Sequence, residues 1–232
     1  KLISAHIGVI WFQVHLKGKP VHVLEAGSGF NAIEASLPLL AALKTLEQRW
    51  NSAGHTHPHY DHHDHPLNLN IGKIEGGDWA SSVPAWCCFD VRMGIYPGQD
   101  IAAAKAEIEA CLHDAARDDI YLGKNPPEII YHGFLAEGYC LADHDKPDTR
   151  QAVSALEKAH LSVTGNPLQQ TTVTATTDAR FFGLYADTPA LVYGPAADAI
   201  HGFNERVDLE SVRRTTQSIA LFIAHWCGLE KP

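Results

Sequence analysis

From Ile7 to Lys17 the chain reads IGVIWFQVHLK, a β-branched and aromatic run whose apolar and polar positions alternate towards its end. That pattern predicts a strand, and Gly18-Lys19-Pro20 breaks it. From Asn31 to about Trp50 the apolar positions Ile33, Leu37, Leu40, Leu43 and Leu46 recur three or four residues apart, the period of a helix packed on one side. Asn31 suits its N-cap, and Glu34, three residues on, completes a capping-box-like pair. A polar, histidine-rich loop follows from Asn51 to Pro66. Two further strands are predicted over Leu67–Ile74 and Ala85–Met93, punctuated by Gly76-Gly77 and Pro84. Gly98-Gln99-Asp100 opens a second helix from Ile101 to about Arg117, and Glu128–Phe134 gives a fourth strand after Pro126-Pro127. The order β-α-β-β-α-β is the split ferredoxin-like arrangement: four strands in one sheet, both helices on one face, closing near residue 135.

The pattern changes after about Ala136. Pro147-Asp148-Thr149 introduces a helix through about His160, and a threonine-rich stretch, Thr171–Thr177, precedes Asp178-Ala179-Arg180-Phe181-Phe182. Ala190–Tyr193 is a short apolar strand ending at Gly194-Pro195. Leu209–Trp226 is an amphipathic helix with apolar Val212, Ile219, Phe222, Ile223 and Trp226. Alternating strand and helix suits the edge of an α/β sheet, but so few strands make a poor independent domain, so this segment reads as part of something larger.

Composition narrows the function classes. With 232 residues and 45% hydrophobic content the chain can bury a sizeable core. Its net charge is -9 and it has no Lys/Arg-rich run, which argues against binding nucleic acid. No apolar stretch approaches the roughly 20 residues needed to span a bilayer, so no membrane partner is expected. The start, Lys1 to His6, does not read as a signal peptide, because the apolar run after it is too short. Five scattered cysteines without a C-x-x-C pair suggest reduced thiols in a cytoplasmic protein.

Several local motifs stand in a fixed order. Lys17-Gly18-Lys19-Pro20-Val21-His22 leads to Gly29-Phe30-Asn31-Ala32-Ile33. Asn70-Ile71-Gly72-Lys73-Ile74-Glu75-Gly76-Gly77 leads to Val83-Pro84 and Phe89-Asp90-Val91-Arg92, and then come Thr177-Asp178-Ala179-Arg180-Phe181 and His201-Gly202-Phe203-Asn204-Glu205. Together they resemble the two-zinc amidohydrolase superfamily of acetylornithine deacetylase, succinyl-diaminopimelate desuccinylase and aminoacylase. The resemblance implies an α/β fold in two parts: a ferredoxin-like lid and dimerisation domain over residues 5–135, and the C-terminal part of a zinc-exopeptidase-like catalytic domain over 136–232.

The resemblance also implies roles. His201 would be a metal ligand; read alone it is rather a histidine capping a turn beside a glycine. His22 would be catalytic, reaching across a homodimer to steady the developing oxyanion; alone it is a surface histidine near a strand end. Arg92 would clamp a substrate carboxylate with its planar guanidinium, the alternative being a salt bridge to Asp90 or Asp100. Thr177 and Gly194 would contact substrate or serve as turn residues. Where the family often places Asn before the Val-Pro, this chain has Ser81 and Ser82.

The implied cofactor is zinc, two ions per site, with cobalt as a possible substitute. The ions would polarise an amide carbonyl and activate a water, with a glutamate moving the proton. The family's remaining ligands, a His-x-Asp motif, a bridging Asp, a Glu-Glu pair and a further carboxylate, are not found in this sequence, so the chain is expected to be part of a longer enzyme and inactive alone. The expected substrate is an N-acyl amino acid. The alternatives are a dipeptidase or carboxypeptidase on the same scaffold, and a non-catalytic dimerisation module. The run from His55 to His65 reads as a solvated loop or an incidental metal site.

Overall fold

The alternating segment forms a strand over Gly8–Lys17, but the sequence pattern did not announce a second strand that precedes it, Leu2–His6. The computed structural model describes residues 1–52 and 54–229, so residues 230–232 of the expected catalytic segment lie outside the described residues. In chain order the elements are β1 (Leu2–His6), β2 (Gly8–Lys17), α1 (Ala32–Trp50), β3 (Leu69–Gly76), β4 (Trp86–Ile95), α2 (Ile101–Arg117) and β5 (Glu128–Ala136). They continue with β6 (Tyr139–Cys140), α3 (Pro147–Thr164), β7 (Gln170–Val173), β8 (Val192–Tyr193), β9 (Ala197–Asp198), β10 (Arg206–Val207) and α4 (Leu209–Cys227).

Contacts divide these elements into two units. The first comprises Ile7–Gly138 with Thr174–Thr176. Its sheet runs β3-β4-β2-β5, every neighbouring pair antiparallel, which is the ferredoxin-like strand order. Parity along β2 separates the faces: Ile10, Phe12, Val14 and Leu16 are buried, while Trp11, Gln13, His15 and Lys17 turn the other way. Phe89, Val91 and Met93 of β4 join the buried face, under Leu39, Leu43 and Leu46 of α1 and Ala104, Ile108 and Leu112 of α2. Asn31 caps α1 as its sequence suggests: its Oδ1 accepts from the N–H groups of Ile33 and Glu34, at 3.0 and 3.2 Å. Gly8 is required by close approach, since a Cβ there would lie 2.3 Å from the carbonyl oxygen of Ala136.

The second unit comprises Lys1–His6, Tyr139–Val173 and the chain from Thr177. Here β1 pairs in parallel with β7, and antiparallel with β6 near its end and with β8 near its start. Leu2, Tyr139, Leu141, Leu156 and Ala179 form the core. Gly183 lies so close to the Tyr139 ring that a Cβ would come within 1.9 Å of a ring carbon. The amphipathic helix expected over Leu209–Trp226 forms, yet Ser218 is its one fully buried residue, and Ile223 and Trp226 remain 51% and 42% exposed. All five cysteines are free thiols. Among the described residues, no helix is long and apolar enough to cross a membrane.

The loop after α1 is fastened at its far end by Glu47, which is 6% exposed. Its Oε1 accepts from Leu69 N–H at 2.6 Å and contacts His65 Nε2 at 3.0 Å, while Oε2 accepts from Lys44 Nζ at 2.9 Å. Burial alone would raise the Glu47 pKa, but the bonds from Leu69, His65 and Lys44 outweigh it and hold the carboxyl below its ordinary value. A folded-state pKa below the unfolded one contributes stability that is present above the unfolded value and lost as pH falls through the folded one. Glu47→Gln is therefore expected to cost about 1–3 kcal/mol at neutral pH in urea unfolding. The gap to wild type should narrow as both proteins are taken below about pH 4; a gap independent of pH would show that the charge contributes nothing.

Candidate functional site

His22 follows β2 in a loop tied to the β3–β4 connection. Val23 N–H donates to Ser81 O at 3.2 Å, and Val83 N–H donates to Val21 O at 2.9 Å. A short 3-10 turn, Val23–Ser28, begins after His22, which caps it in extended geometry. His22 Nδ1 accepts from Leu24 N–H at 3.1 Å. An accepting Nδ1 carries the lone pair, so the neutral ring bears its proton on Nε2. The side chain is exposed, in a turn whose residues are all exposed. The result is an outward-facing Nε2–H donor whose tautomer is fixed by the backbone two residues ahead.

Arg92 lies directly across from Trp11 in the β2–β4 register, on the sheet face away from the helices. Its guanidinium donates to two backbone carbonyls, Asn68 O at 3.1 Å and Thr174 O at 3.3 Å. Burial lowers its pKa from the ordinary value without discharging it. Neither salt bridge considered from the sequence is formed: among the described residues Arg92 has no ion pair, and one carboxylate oxygen of Asp90 is buried without a hydrogen-bond partner. A half-buried guanidinium thus holds two carbonyls and faces no carboxylate.

His201 sits at the tip of an exposed two-stranded hairpin. β9 and β10 pair Ala197 with Val207 and Asp198 with Arg206, and the Asp198 and Arg206 side chains form an ion pair across the ladder. Gly202 N–H donates to Ala199 O at 2.7 Å, closing a tight turn. His201 has φ 63° and Ala199 φ 53°, left-handed conformations that cost a residue with a Cβ about 1–2 kcal/mol. Strain of this kind concentrates where function positions a side chain. Among the described residues, no group of three converging His, Cys, Asp or Glu side chains includes His201.

Thr177 makes a local turn: its Oγ1 accepts from Ala179 N–H at 3.3 Å and its carbonyl accepts from Arg180 Nη1 at 3.2 Å. Gly194 has open space where a side chain would stand, so close packing does not demand glycine there. Thr177, Gly194 and His201 belong to one unit, and His22 and Arg92 to the other. The sequence reading missed the supporting groups: Leu24 N–H, the Asn68 and Thr174 carbonyls, and the Asp198–Arg206 pair. Only the last left a signal, opposite charges placed on either side of the His201-Gly202 turn.

Residues 4–120 match the family model of the peptidase dimerisation domain, and residues 137–225 match that of peptidase family M20/M25/M40. An acetylornithine deacetylase of Erwinia tasmaniensis is 27% identical over 235 residues, covering 98% of this chain and 54% of the relative. An N-formyl-4-amino-5-aminomethyl-2-methylpyrimidine deformylase of Bacillus subtilis is 26% identical over 238 residues, covering 99% of this chain and 55% of the relative. The chain spans about half the length of the curated relatives it matches. Among solved structures, the di-peptidase Dug1p of Saccharomyces cerevisiae aligns over 99% of this chain and 56% of its own, at 14% identity and a TM-score of 0.71. Human carnosine dipeptidase 1 aligns over 98% and 57%, at 15% identity and a TM-score of 0.69. At these identities the structural likeness is one of fold. The two family models match in tandem and together cover most of the sequence, and the chain belongs to peptidase family M20/M25/M40.

Proposed function

We propose that this chain supplies the lid (residues 5–135) and the C-terminal part of the catalytic domain (136–232) of a zinc-dependent amidohydrolase. The enzyme would act as a cytoplasmic homodimer and cleave the amide of an N-acyl amino acid, in the manner of an acetylornithine deacetylase. What carries this reading is the backbone at His201, held left-handed at an exposed tip by the turn that Gly202 N–H closes on Ala199 O.

His201 offers one imidazole, and one imidazole does not make a zinc site. The fit is therefore partial, and the reading needs ligands from residues other than the described ones. Zinc, when bound, would polarise the scissile carbonyl and acidify a water. His22 presents an Nε2–H donor suited to a developing oxyanion. Arg92, half-buried and without a carboxylate partner, suits a substrate carboxylate, since a desolvated cation gains from an anion brought to it. Thr177 and Gly194 would border the substrate. The uncovered apolar surface of the second unit, including Phe181, Phe182 and the Ile223–Trp226 end of α4, would lie against further catalytic-domain chain.

The second copy would dock on the β3 edge. Among the described residues that edge has no strand beyond it, and Ile74 is 48% exposed on it. Ile33 of α1 adjoins its end at Gly76, and Leu37 one turn on is 59% exposed, which extends the apolar strip onto the helix.

Five measurements test the proposal. In the full-length polypeptide, His201→Ala should abolish hydrolysis of N-acetyl amino acids and lower the zinc bound per protomer; unchanged zinc and activity would refute the ligand role. Cleavage of dipeptides but not N-acyl amino acids would assign a dipeptidase instead. His22→Ala should lower kcat by about 10²–10³-fold. Leu24→Pro removes the N–H that fixes the ring, so nitrogen NMR should show the His22 Nε2–H preference lost; its persistence would rule out the backbone as its cause. Leu37→Glu with Ile74→Glu should give monomers in sedimentation velocity, and dimers that survive both changes would place the interface elsewhere.

A further inference from the structure

The loop between α1 and β3 carries six histidines within eleven residues, His55 to His65, together with Asp61 and Asp64. None of the roles above uses it. It is nevertheless built rather than loose. Tyr60 at its centre is 1% exposed. Asn51, at the end of α1, clamps Leu67 in both directions: Oδ1 accepts from Leu67 N–H at 2.9 Å, and Nδ2 donates to Leu67 O at 2.8 Å. His65 is engaged by Glu47 at 3.0 Å.

Two pairs of imidazoles flank the buried tyrosine. His57 and Tyr60 have ring centroids 5.8 Å apart, and Tyr60 and His63 are 5.7 Å apart. Within the pairs, His57 and His59 have centroids 5.4 Å apart, and His62 and His63 are 4.3 Å apart. Two imidazoles bound to one ion with metal–nitrogen distances of about 2.0–2.1 Å, at an angle between right and tetrahedral, would have centroids about 4.5–5.2 Å apart. The two observed separations lie just above and just below that range; His57 Nδ1 accepts from His59 N–H at 3.3 Å, so Nε2 is the nitrogen His57 would offer an ion. Because the loop is anchored at Asn51, Tyr60 and Glu47, little chain entropy remains to be lost on binding. Asp61 and Asp64 offset the incoming charge.

We propose that this loop is a binding site for a borderline divalent transition metal, zinc, nickel or copper, with His57–His59 and His62–His63 as chelating pairs. It is distinct from the hairpin that carries His201. Such ions favour imidazole, whereas calcium and magnesium favour oxygen and would not be held. Each imidazole binds such an ion through a ring nitrogen that carries no proton.

The test titrates the metal-free chain, residues 1–232, with nickel(II) and separately with zinc(II) by calorimetry near neutral pH. Wild type and His201→Ala should bind alike. His57→Gln combined with His59→Gln, and His62→Gln combined with His63→Gln, should each weaken or remove part of the isotherm, and the fourfold variant should bind at least tenfold more weakly. Each variant keeps Tyr60, and circular dichroism confirms that it is folded. An isotherm absent in wild type, unchanged in the fourfold variant, or lost in His201→Ala would each overturn the proposal. Magnesium in place of nickel should give no heat, and heat with magnesium that disappears in the fourfold variant would equally overturn it.

Discussion

Pairing of β2 along both of its edges is the constraint on which the first unit depends. Because side chains alternate along a strand, one register assigns Ile10, Phe12, Val14 and Leu16 to the helices and Trp11, Gln13 and His15 to the opposite face. A slip by one residue would bury a lysine, a histidine and a glutamine and expose the core. The same register sets Arg92 opposite Trp11, so the cation cannot lie on the helix side. Core packing and the placing of a candidate binding residue are therefore one decision. The two-residue clamp of Asn51 on Leu67 and the Glu47 bond to Leu69 then fix where β3 joins the sheet.

The sequence made legible those elements whose period extends over several turns or residues. α2 forms over Ile101–Arg117, as its pattern predicts, and α1, β4 and β5 differ from expectation only at their ends. Leu2–His6 was not legible, because it is short and its partners lie far along the chain: Gln170–Val173 in parallel, and Tyr139 and Tyr193 on its other side. Five residues carry no periodicity that could reveal such pairing. At the candidate site, the motifs marked His22, Arg92 and His201 as residues but not their settings. Arg92 engages carbonyls 24 and 82 residues away in sequence, a distance no local spacing reports.

The second unit shows a different mismatch between sequence and packing. α4 has an apolar face that burial would stabilise, yet Val212, Ile219, Ile223 and Trp226 are each at least 36% exposed. The segment Phe181–Tyr185 likewise leaves three aromatic rings about half exposed or more. Single exposed apolar residues are ordinary on any protein, whereas a helix face and a neighbouring aromatic segment together are not. The amphipathic pattern of α4 is thus a correct reading of the helix, and the burial it leads one to expect is not supplied by the described residues.

His22 and His201 are positioned by the same economy of means. Each is fixed by main-chain groups within two residues: Leu24 N–H orients the His22 ring, and the Ala199–Gly202 turn imposes the left-handed backbone of His201. Neither imidazole needs a packed pocket of its own, so both can remain exposed where another group could reach them. The costs differ in kind. At His22 a hydrogen bond selects one tautomer of a ring in ordinary backbone geometry, and the bond offsets the loss of freedom. At His201 the backbone itself is unfavourable by about 1–2 kcal/mol, which the Asp198–Arg206 pair and the short β9–β10 ladder must outweigh. An exposed ion pair and two residue pairs give little surplus, so the hairpin holds His201 in position only marginally, and a ligand that required that conformation would add stability there directly.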